Sequence, residues 1–256
     1  MKIAVITGAS SGMGRKFAET LSQYGSFDEV WAIARRRDRL DELAASLPYP
    51  VKPVALDLSD RNALAQYAEL LDREKPVVGL LINASGFGKF GATLDIPLAD
   101  QQNMVDLNCI ALMSMCHMTV PYMPRGSQII NIASVGAFQP IPYINVYGAS
   151  KAFVLRFSRA LNKELRPRGI RVMAVCPFWT KTEFFDRAID KGQETVVKKY
   201  AAMYTADEII SQAWRDAKKG KDVSKFGFIA KGQIALVQAL PHSIIMDIWM
   251  KQQKLN

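Results

Sequence analysis

The sequence predicts an α/β fold with a doubly wound parallel sheet, covered by helices on both faces. Short apolar runs, typical of strands that are buried on both sides, alternate regularly with longer stretches of helical periodicity. The connections are short, and no linker rich in Pro, Gly and Ser divides the 256 residues. We therefore expect residues 1–256 to form a single domain.

The elements follow in order along the chain. Strands are predicted over residues 2–6, 29–34, 51–56, 77–82, 127–132, 170–176 and 225–229. Helices are predicted over residues 15–24, 38–47, 62–73, 99–120, 147–165 and 206–218. Pro48 and Pro167 end two of these helices, because proline cannot continue the helical hydrogen bonding. Residues 230–256 form an apolar C-terminal extension that is broken at Pro241.

The composition indicates a globular protein, with 49% hydrophobic and 22% charged residues. The formal net charge of +9 fits a binder of nucleic acid or anionic membranes, or a basic enzyme for anionic ligands. The positive charges are spread out, and no basic helix with interleaved aromatic residues occurs. This pattern favours the enzyme over a nucleic-acid partner. No apolar run reaches the roughly 18 residues that span a bilayer.

The three cysteines, Cys109, Cys116 and Cys176, have neither metal-ligand nor CxxC spacing. We expect buried thiols in a reducing compartment and no metal site. Met1 and Lys2 run directly into the first strand without a secretory signal. A cytoplasmic location is therefore expected.

A glycine-rich turn, T-G-A-S-S-G-M-G over residues 7–14, separates the first strand from the first helix. In such a unit the glycines let the main chain approach a pyrophosphate, and the helix N-terminus offers N–H groups and partial positive charge. No Lys-Ser/Thr follows, which argues against nucleotide hydrolysis. The alternative is a turn that needs glycine for its shape alone. The candidate dinucleotide contacts here are Gly8, Ser10, Ser11, Gly12, Met13 and Gly14.

The second strand ends at Ala34, where a site selective for NAD carries an acidic residue for the ribose 2′-hydroxyl. Here Arg35 and Arg36 follow, and guanidinium groups bind a 2′-phosphate through charge-assisted hydrogen bonds. The sequence therefore predicts NADP(H) rather than NAD, with Arg35 as a contact. The alternative is that these arginines begin a solvated helix. Arg15, after the last glycine, is a further candidate for the phosphate.

A serine, a tyrosine and a lysine occur together at Ser134, Tyr147 and Lys151. The Tyr–Lys spacing of four places both side chains on one face of a helix. A nearby ammonium favours the phenolate, so we expect the pKa of Tyr147 to lie well below its ordinary value of about 10. Such a tyrosine can exchange a proton with a substrate oxygen near neutral pH, and Ser134 can hydrogen-bond the same oxygen.

Polar or small residues also end the other strands. Asp57 follows the third strand and is a candidate adenine contact, whereas Ser59 or Asp60 is a helix N-cap. Asn83-Ala84-Ser85-Gly86 follows the fourth strand, where small residues let the main chain approach a ligand ring. Asn108 lies in the middle of a long predicted helix, where a buried asparagine needs a hydrogen-bond partner.

Together these motifs resemble the short-chain dehydrogenase/reductase family, over residues 2–185. The resemblance implies a Rossmann-like sheet and hydride transfer between a nicotinamide cofactor and a carbonyl or alcohol carbon. It implies that Tyr147 is the general acid/base and that Lys151 holds the nicotinamide ribose and lowers the pKa of Tyr147. Ser134 would orient the carbonyl, and Asn108 would hold a water in a proton relay. Further implied cofactor contacts are Asp57, Leu58, Asn83, Ala84, Tyr147, Lys151, Pro177, Thr180 and Thr182.

Two departures from the family pattern stand out. The family usually has Asn-Asn-Ala-Gly after the fourth strand, whereas this chain has Asn83-Ala84-Ser85-Gly86. The turn is expected to survive, because main-chain contacts carry much of that site. A glycine usually follows the proline after the sixth strand, and here Phe178 follows Pro177. A bulky residue there would change the nicotinamide pocket, the substrate pocket or both.

Residues 182–204 are the variable insert of the family and are expected to form a lid over the substrate. Aromatic residues flank the motifs that should line the cleft, namely Phe87, Phe90, Phe138, Tyr143, Trp179, Phe184 and Phe185. As a set they suggest an apolar pocket for a bulky ketone or alcohol, such as a steroid or a lipid-derived carbonyl. Each alone could belong to the core. Lys191, Lys198 and Lys199 either meet an acidic group on the substrate or are solvated.

Three placements are open for the extension 230–256: across the substrate opening, in a homodimer or homotetramer interface, or on a membrane surface. Its apolar residues occupy more than one face and its ends carry few charges. This favours burial over peripheral membrane contact. The rival to an NADP(H)-dependent enzyme is an NADP(H)-sensing regulator or scaffold without turnover, which would not need the intact set of Asn108, Ser134, Tyr147 and Lys151.

Overall fold

Strands and helices alternate along the chain in the computed structural model, which describes residues 1–188 and 195–255. The strands are β1 (Lys2–Thr7), β2 (Glu29–Ala34), β3 (Val51–Ala55), β4 (Val77–Asn83), β5 (Gln128–Ile132), β6 (Arg171–Cys176), β7 (Thr180–Lys181), β8 (Tyr204–Thr205) and β9 (Val223–Lys225). The helices are α1 (Gly12–Glu19), α2 (Arg37–Ser46), α3 (Arg61–Glu74), α4 (Leu98–Val105), α5 (Leu112–Thr119), α6 (Asn145–Leu165), α7 (Phe184–Ala188), α8 (Ala206–Lys218), α9 (Phe228–Ala239) and α10 (His242–Gln253).

Seven strands form one parallel sheet in the order β3-β2-β1-β4-β5-β6-β9. The chain moves outward from β1 to β3 and then returns to the other side of β1 at β4. The strand order therefore reverses between β1 and β4, and ligands of such sheets bind in the crevice at this switch point. The doubly wound, single-domain fold expected from the sequence is confirmed.

The two faces of the sheet bury separate hydrophobic clusters, because successive side chains of a strand point to opposite faces. Ile3 and Val5 of β1 pack with apolar residues of α3, α5 and α6. Ala4 and Ile6 of the same strand pack with α1, α2 and α8. All four side chains are fully buried, which explains why β1 reads as a continuous apolar run.

The helix predicted over residues 99–120 is interrupted. A π-helical turn, Asp106–Ala111, separates α4 from α5 and carries Asn108. The stretch Leu98–Tyr122 is long and apolar enough to cross a membrane by length and composition, with a mean hydropathy of 1.2. Met104 and Met115 on this stretch are fully buried in the hydrophobic cluster on the sheet. The stretch departs from the expectation that no apolar run reaches membrane-spanning length, and 44% of its apolar 18-residue window is buried inside the protein.

The last predicted strand is misplaced. The sequence favoured residues 225–229, whereas β9 is Val223–Lys225 and Phe228 begins α9. Gly227 separates the two elements with φ +89°, a left-handed conformation that turns the chain out of the sheet. The alternation of apolar residues in the run K-F-G-F-I is typical of a strand. This alternation carries no information on the turn at Gly227.

Candidate active site

The glycine-rich turn is packed so closely that side chains are excluded at two of its glycines. A Cβ at Gly8, where φ is +68°, would lie 2.8 Å from the carbonyl oxygen of Ala84. A Cβ at Gly14 would lie 2.6 Å from the carbonyl carbon of Gly8 and 2.9 Å from the carbonyl oxygen of Thr7. The alternative of a turn that needs only conformational freedom therefore does not apply to Gly14, where close approach of main chain to main chain fixes the residue.

A cleft of about 470 Å³ opens beside this turn, at the switch point of the sheet. The N-terminus of α1 begins at Gly12 within the turn, so its main-chain N–H groups lie at the cleft. The lining of the cleft includes ten of the predicted cofactor contacts, namely Gly8, Ser10, Ser11, Gly12, Met13, Arg35, Asp57, Leu58, Ala84 and Thr182. A dinucleotide fits this donor set, because the glycines leave main chain exposed where a side chain would otherwise stand.

Thr7 ties the two central strands together at the cleft. Its hydroxyl accepts hydrogen bonds from the main-chain N–H groups of Ala84, at 3.0 Å, and Ser85, at 3.1 Å. The side chain of Asn83 lies inside the protein, where its amide nitrogen donates to Asn131 at 2.9 Å. Asn83 is only 2% exposed and is not among the residues that line the cleft. The structure thus gives the family's strand-end asparagine a contact within the sheet.

The basic residues at the cleft do not all behave as the sequence suggested. Arg35 lies at the cleft and approaches Asp57 at 3.8 Å. Arg15 instead pairs with Glu19 at 3.0 Å and Glu42 at 3.1 Å, which directs its guanidinium toward α2. Asp57 also accepts hydrogen bonds from the N–H and hydroxyl of Ser59, at 3.1 and 2.7 Å.

Arg36 is the arginine that reaches the glycine-rich turn. One guanidinium nitrogen donates to the hydroxyls of Ser10, at 3.2 Å, and Ser11, at 2.9 Å. The same side chain pairs with Glu183 at 3.2 Å. The sequence predicts its neighbour Arg35 as the phosphate contact; Arg35 also lines the cleft, so this stays a prediction.

Ser134, Tyr147 and Lys151 converge beside the cleft, as predicted. Tyr147 and Lys151 lie in the first turns of α6, and the Lys151 ammonium is 5.7 Å from the centre of the Tyr147 ring. Ser134 follows β5 and hydrogen-bonds Tyr147 through its side chain. The Lys151 ammonium is buried and donates to the main-chain carbonyl of Ile132 at 2.8 Å.

The expected lowering of the Tyr147 pKa is wrong. Burial raises the pKa of Tyr147 to about 12, and the hydrogen bond with Ser134 only partly opposes this. Burial also lowers the pKa of Lys151 to about 8, since the interior disfavours its charged form. Tyr147 therefore keeps its proton at neutral pH, which is the protonation state that a general acid needs.

Asn108 finds its hydrogen-bond partners in the segment after β4. Its side-chain oxygen accepts from the N–H of Phe87 at 3.0 Å, and its amide nitrogen donates to the carbonyl of Phe87 at 2.9 Å and to Ser150 at 3.0 Å. Ser150 in turn donates to the carbonyl of Tyr147 at 2.7 Å. The fully buried Asn108 thus ties the strand-end segment to the start of α6.

The absence of a side chain at Gly86 lets Asn108 and Lys151 lie close to the segment after β4. A Cβ on Gly86 would lie 2.8 Å from the side-chain oxygen of Asn108 and 3.4 Å from the Lys151 ammonium. Gly88 is equally constrained, since its Cβ would lie 2.9 Å from both Tyr147 and Phe184. The absence of side chains at Gly86 and Gly88 therefore leaves room for Asn108, Lys151, Tyr147 and Phe184.

A second cavity, of about 650 Å³, adjoins the cofactor cleft. Both are lined by Met13, Ala84, Gly86, Thr182 and Phe184. Ser134, Tyr147 and Lys151 line the second cavity at this junction, together with Pro177 and Thr180. A hydride donor in the cleft and a substrate in the cavity would therefore meet beside Tyr147.

Only part of the aromatic set predicted for this cavity lines it. Trp179 and Phe184 line it, as do Phe178 and Tyr200. Phe87 instead lies at the cofactor cleft, where the Arg187 guanidinium stacks 3.4 Å from its ring centre. Phe90 and Phe185 pack behind the wall, and Phe138 and Tyr143 are not among the lining residues. Position near a motif in the sequence thus predicted the region of the cavity, but not which of these aromatic residues line it.

The C-terminal extension packs across the cavity. Ile229, Leu236, Ile245 and Trp249 of α9 and α10 line it. The indole N–H of Trp249 donates to the carbonyl of Pro142 at 3.0 Å, which holds α10 against the segment before α6. Of the three placements left open by the sequence, the structure shows the one across the opening.

Phe178 faces this extension. It is 9% exposed, packs with Val135, Ala230 and Ile234, and lines the larger cavity. The residue that replaces the family's glycine was expected to change the nicotinamide pocket, the substrate pocket or both. Phe178 forms part of the wall of the larger cavity, the one expected to hold the substrate.

Gln253 connects the extension to the segment before β8. Its side-chain oxygen accepts from the N–H groups of Lys198, at 2.8 Å, and Lys199, at 2.9 Å. Its amide nitrogen donates to the carbonyl of Lys199 at 3.0 Å. Lys198 and Lys199 are exposed, and Lys199 lies at the cavity. Lys191 and part of the expected lid lie outside the described residues.

Comparison with known proteins agrees with this geometry. A family model described as short chain dehydrogenase matches residues 2–193. The chain belongs to the short-chain dehydrogenase family. The chain is 32% identical to a serine 3-dehydrogenase of Rhizobium radiobacter, over 86% of this chain and 89% of the relative.

Two solved structures are similar over nearly the whole chain. A short-chain dehydrogenase from Sphingobium yanoikuyae in complex with NADPH has a TM-score of 0.79 and 32% identity, over 93% of each chain. A bulky-bulky ketone specific alcohol dehydrogenase from Comamonas testosteroni has a TM-score of 0.72 and 25% identity, over 93% of this chain and 92% of that one. This short-chain dehydrogenase is accordingly an oxidoreductase of the Rossmann-like type.

Several residues at the site of this short-chain dehydrogenase were not predicted from the sequence. Arg39 and Glu183 lie beside Arg36, Arg187 stacks at the cofactor cleft, and Trp249 closes the cavity from the far end of the chain. The basic cluster over residues 35–39 was a signal for Arg39. Nothing in the local sequence marks Glu183 or Trp249, because only folding brings them to the site.

Proposed function

We propose that this protein is an NADP(H)-dependent oxidoreductase that interconverts a bulky, hydrophobic ketone and the corresponding secondary alcohol. The observation that carries the proposal is the placement of the Ser134–Tyr147 pair at the junction of a dinucleotide-sized cleft and a cavity with mainly apolar walls. The solved relative from Comamonas testosteroni is an alcohol dehydrogenase specific for bulky-bulky ketones, which supports the substrate class. Steroids and lipid-derived carbonyls belong to this class.

Tyr147 and Ser134 have separate roles at the carbonyl oxygen of the substrate. When bound, the nicotinamide supplies or accepts the hydride. The Tyr147 hydroxyl donates its proton to the carbonyl oxygen, and Ser134 donates a second hydrogen bond that holds this oxygen in place. In the oxidative direction, Tyr147 must first lose its proton, and the phenolate then accepts the proton of the alcohol.

Lys151 and Asn108 position these groups. The Lys151 ammonium, held by the carbonyl of Ile132, is the candidate to hold the nicotinamide ribose and supplies positive charge beside the Tyr147 ring. Asn108 fixes the start of α6 through Ser150. The proton relay through a water at Asn108 stays a prediction, since its side-chain hydrogen bonds described above go to Phe87 and Ser150.

Preference for NADP(H) follows from the charges at the end of β2. Arg36 presents its guanidinium to the hydroxyls of Ser10 and Ser11, and this group of donors suits a phosphate dianion. No carboxylate ends β2 to bind a ribose 2′-hydroxyl, since that position is Ala34. The solved relative from Sphingobium yanoikuyae contains NADPH, which supports the proposal.

Replacing Arg36 by Ala should weaken NADPH binding by about ten- to a hundredfold and leave NADH binding nearly unchanged. The loss corresponds to one or more charge-assisted bonds of about 1.5–3 kcal/mol each. Titration of each protein with both dinucleotides, followed by tryptophan fluorescence, measures this. Arg35→Ala is the matched control and should have the smaller effect, because Arg35 approaches Asp57. Equal affinity of the wild type for NADPH and NADH would contradict the proposed preference.

Replacing Trp249 by Ala should raise KM for a bulky ketone by about tenfold and change KM for acetone little. The indole forms part of the cavity wall, and burying one large apolar contact contributes about 1.5–3 kcal/mol. Steady-state kinetics with both ketones checks this. Phe228→Ala is the control, because Phe228 is the first residue of α9, next to the same extension, but is 91% exposed. An equal effect on both ketones would argue against the cavity as the substrate site.

A cytoplasmic location and assembly as a homodimer or homotetramer stay predictions. The alternative of an NADP(H)-sensing regulator or scaffold is disfavoured, because Ser134, Tyr147 and Lys151 line one cavity together and the buried Asn108 hydrogen-bonds Ser150 on the same helix as Tyr147 and Lys151.

A further inference from the structure

Glu183 places a carboxylate in the group of donors that suits a phosphate. It follows Thr182, which lies at both the cofactor cleft and the larger cavity, and it immediately precedes α7. Its partners come from a distant part of the chain, the start of α2. The contact therefore joins the segment in front of the substrate cavity to the segment that should recognise the cofactor.

The contacts of Glu183 are multiple. One carboxylate oxygen lies 3.2 Å from both terminal nitrogens of Arg36, and the other lies 3.7 Å from a terminal nitrogen of Arg39. Arg36 at the same time donates to Ser10 and Ser11. Two guanidinium groups thus contact the Glu183 carboxylate, and one of them also binds both hydroxyls of the glycine-rich turn. Guanidinium groups beside hydroxyls form the donor set expected for a phosphate dianion.

A carboxylate and a phosphate cannot share these donors. Their negative charges repel at contact distance, and both terminal nitrogens of Arg36 already lie 3.2 Å from the Glu183 carboxylate. An arriving 2′-phosphate must therefore displace the Glu183 carboxylate. All three charged side chains are between 41% and 44% exposed, so this exchange needs no opening of the core.

We propose that Glu183 is an internal competitor for the 2′-phosphate site, and that NADP(H) releases the segment around α7 from the cofactor turn when it binds. This inference rests on the NADP(H) preference proposed above. Its consequence for the active site follows from Phe184, the next residue, whose ring lies 5.4 Å from that of Tyr147 and lines both cavities. Phosphate binding would thereby be coupled to the wall of the substrate cavity.

The test compares binding of 2′,5′-ADP and 5′-ADP, which contain two phosphates each and no nicotinamide; one phosphate lies on the ribose 2′ position in 2′,5′-ADP, whereas both lie on the 5′ position in 5′-ADP. Calorimetric titration of the wild type and Glu183→Gln at one ionic strength should show an increase of about three- to tenfold in affinity for 2′,5′-ADP in the variant. This is the effect of removing exposed ion pairs that compete with the ligand. Affinity for 5′-ADP should not change.

Asp186→Asn is the matched control. Asp186 also lines the cleft, one helical turn from Glu183, and the substitution removes the same charge. In the part of the chain that the structure describes, the ion pairs of Arg36 and Arg39 are made with Glu183 and not with Asp186. The control should therefore leave the affinity for 2′,5′-ADP within about twofold of the wild type.

The outcomes separate the two proposals. Tighter binding of 2′,5′-ADP than of 5′-ADP by the wild type, without a gain in Glu183→Gln, supports the NADP(H) preference and overturns the competition. A loss of affinity in Glu183→Gln also overturns it, because Glu183 would then assist binding. An equal gain of affinity for 2′,5′-ADP in Asp186→Asn would show that removing any negative charge near the cleft has this effect. It would therefore overturn the proposed competition as well. Failure of both proteins to discriminate the two ligands overturns both proposals.

Hydrogen exchange tests the release directly. The N–H of Asp186 donates to the carbonyl of Glu183 at 3.2 Å, and the N–H of Phe184 to the Thr182 hydroxyl at 3.4 Å. In the wild type, 2′,5′-ADP should speed exchange of these amides, whereas 5′-ADP should not. Unchanged or slower exchange with 2′,5′-ADP would show that Glu183 stays in place and would overturn the proposal.

Discussion

Replacing Tyr147 by Phe should lower kcat/KM for ketone reduction by about 10²–10⁴-fold, with dinucleotide affinity nearly unchanged. The substitution removes a hydroxyl that is hydrogen-bonded to Ser134 and kept protonated by burial, with a pKa of about 12. General acid catalysis by a positioned side chain typically contributes a factor of this size. Steady-state kinetics, together with fluorescence titration of the dinucleotide, would separate lost chemistry from lost binding.

The matched control for this substitution is Tyr200→Phe. Tyr200 lines the same cavity, but its ring packs against Trp179 at a centroid distance of 5.1 Å, away from the catalytic pair. Loss of its hydroxyl should change kcat by less than about threefold, since it takes no part in proton transfer. Retained turnover in Tyr147→Phe would remove the assignment of Tyr147 as the acid. It would also revive the regulator or scaffold as an explanation of the fold.

Replacing Gly14 by Ala should abolish dinucleotide binding and lower the melting temperature by several degrees. The new methyl group would meet main-chain atoms of Gly8 and Thr7, which cannot move aside as a flexible side chain can. Overpacking of this kind costs about 1–3 kcal/mol, and a domain of this size loses about 2–4 °C per kcal/mol. Thermal unfolding and titration with NADPH measure the two effects.

Gly25→Ala provides the comparison for Gly14→Ala. Nothing lies within 4 Å of a Cβ built on Gly25, and its φ is not in the left-handed region. The same chemical change should therefore leave both the melting temperature and the dinucleotide affinity nearly unchanged. Equal behaviour of the two variants would contradict the close main-chain approach at the cofactor turn.

The fold was accessible from the sequence because its strands are buried on both faces. Ile3, Ala4, Val5 and Ile6 are all fully buried, so β1 appears as an apolar run whatever its neighbours are. The error at β9 has the opposite cause. Whether the chain continues in the sheet past Lys225 depends on the left-handed turn at Gly227, which apolar alternation does not reveal.

The catalytic set was accessible for a related reason. Tyr147 and Lys151 are neighbours on one helix, so their proximity is a property of helical geometry alone. Their pKa values were not accessible in this way. The sequence gives the charge of the neighbour but not the burial, and here burial raises the pKa of Tyr147 and outweighs the opposing hydrogen bond with Ser134.

The sequence by itself determined the parallel sheet, the cofactor turn and the Ser134, Tyr147 and Lys151 set, because these depend on local periodicity and on spacing within single elements. Tertiary structure decided which arginine approaches the cofactor turn, that Glu183 meets it, and that Trp249 closes the cavity. These contacts join residues separated by tens to more than a hundred positions. Their distances are set by how the elements pack against one another.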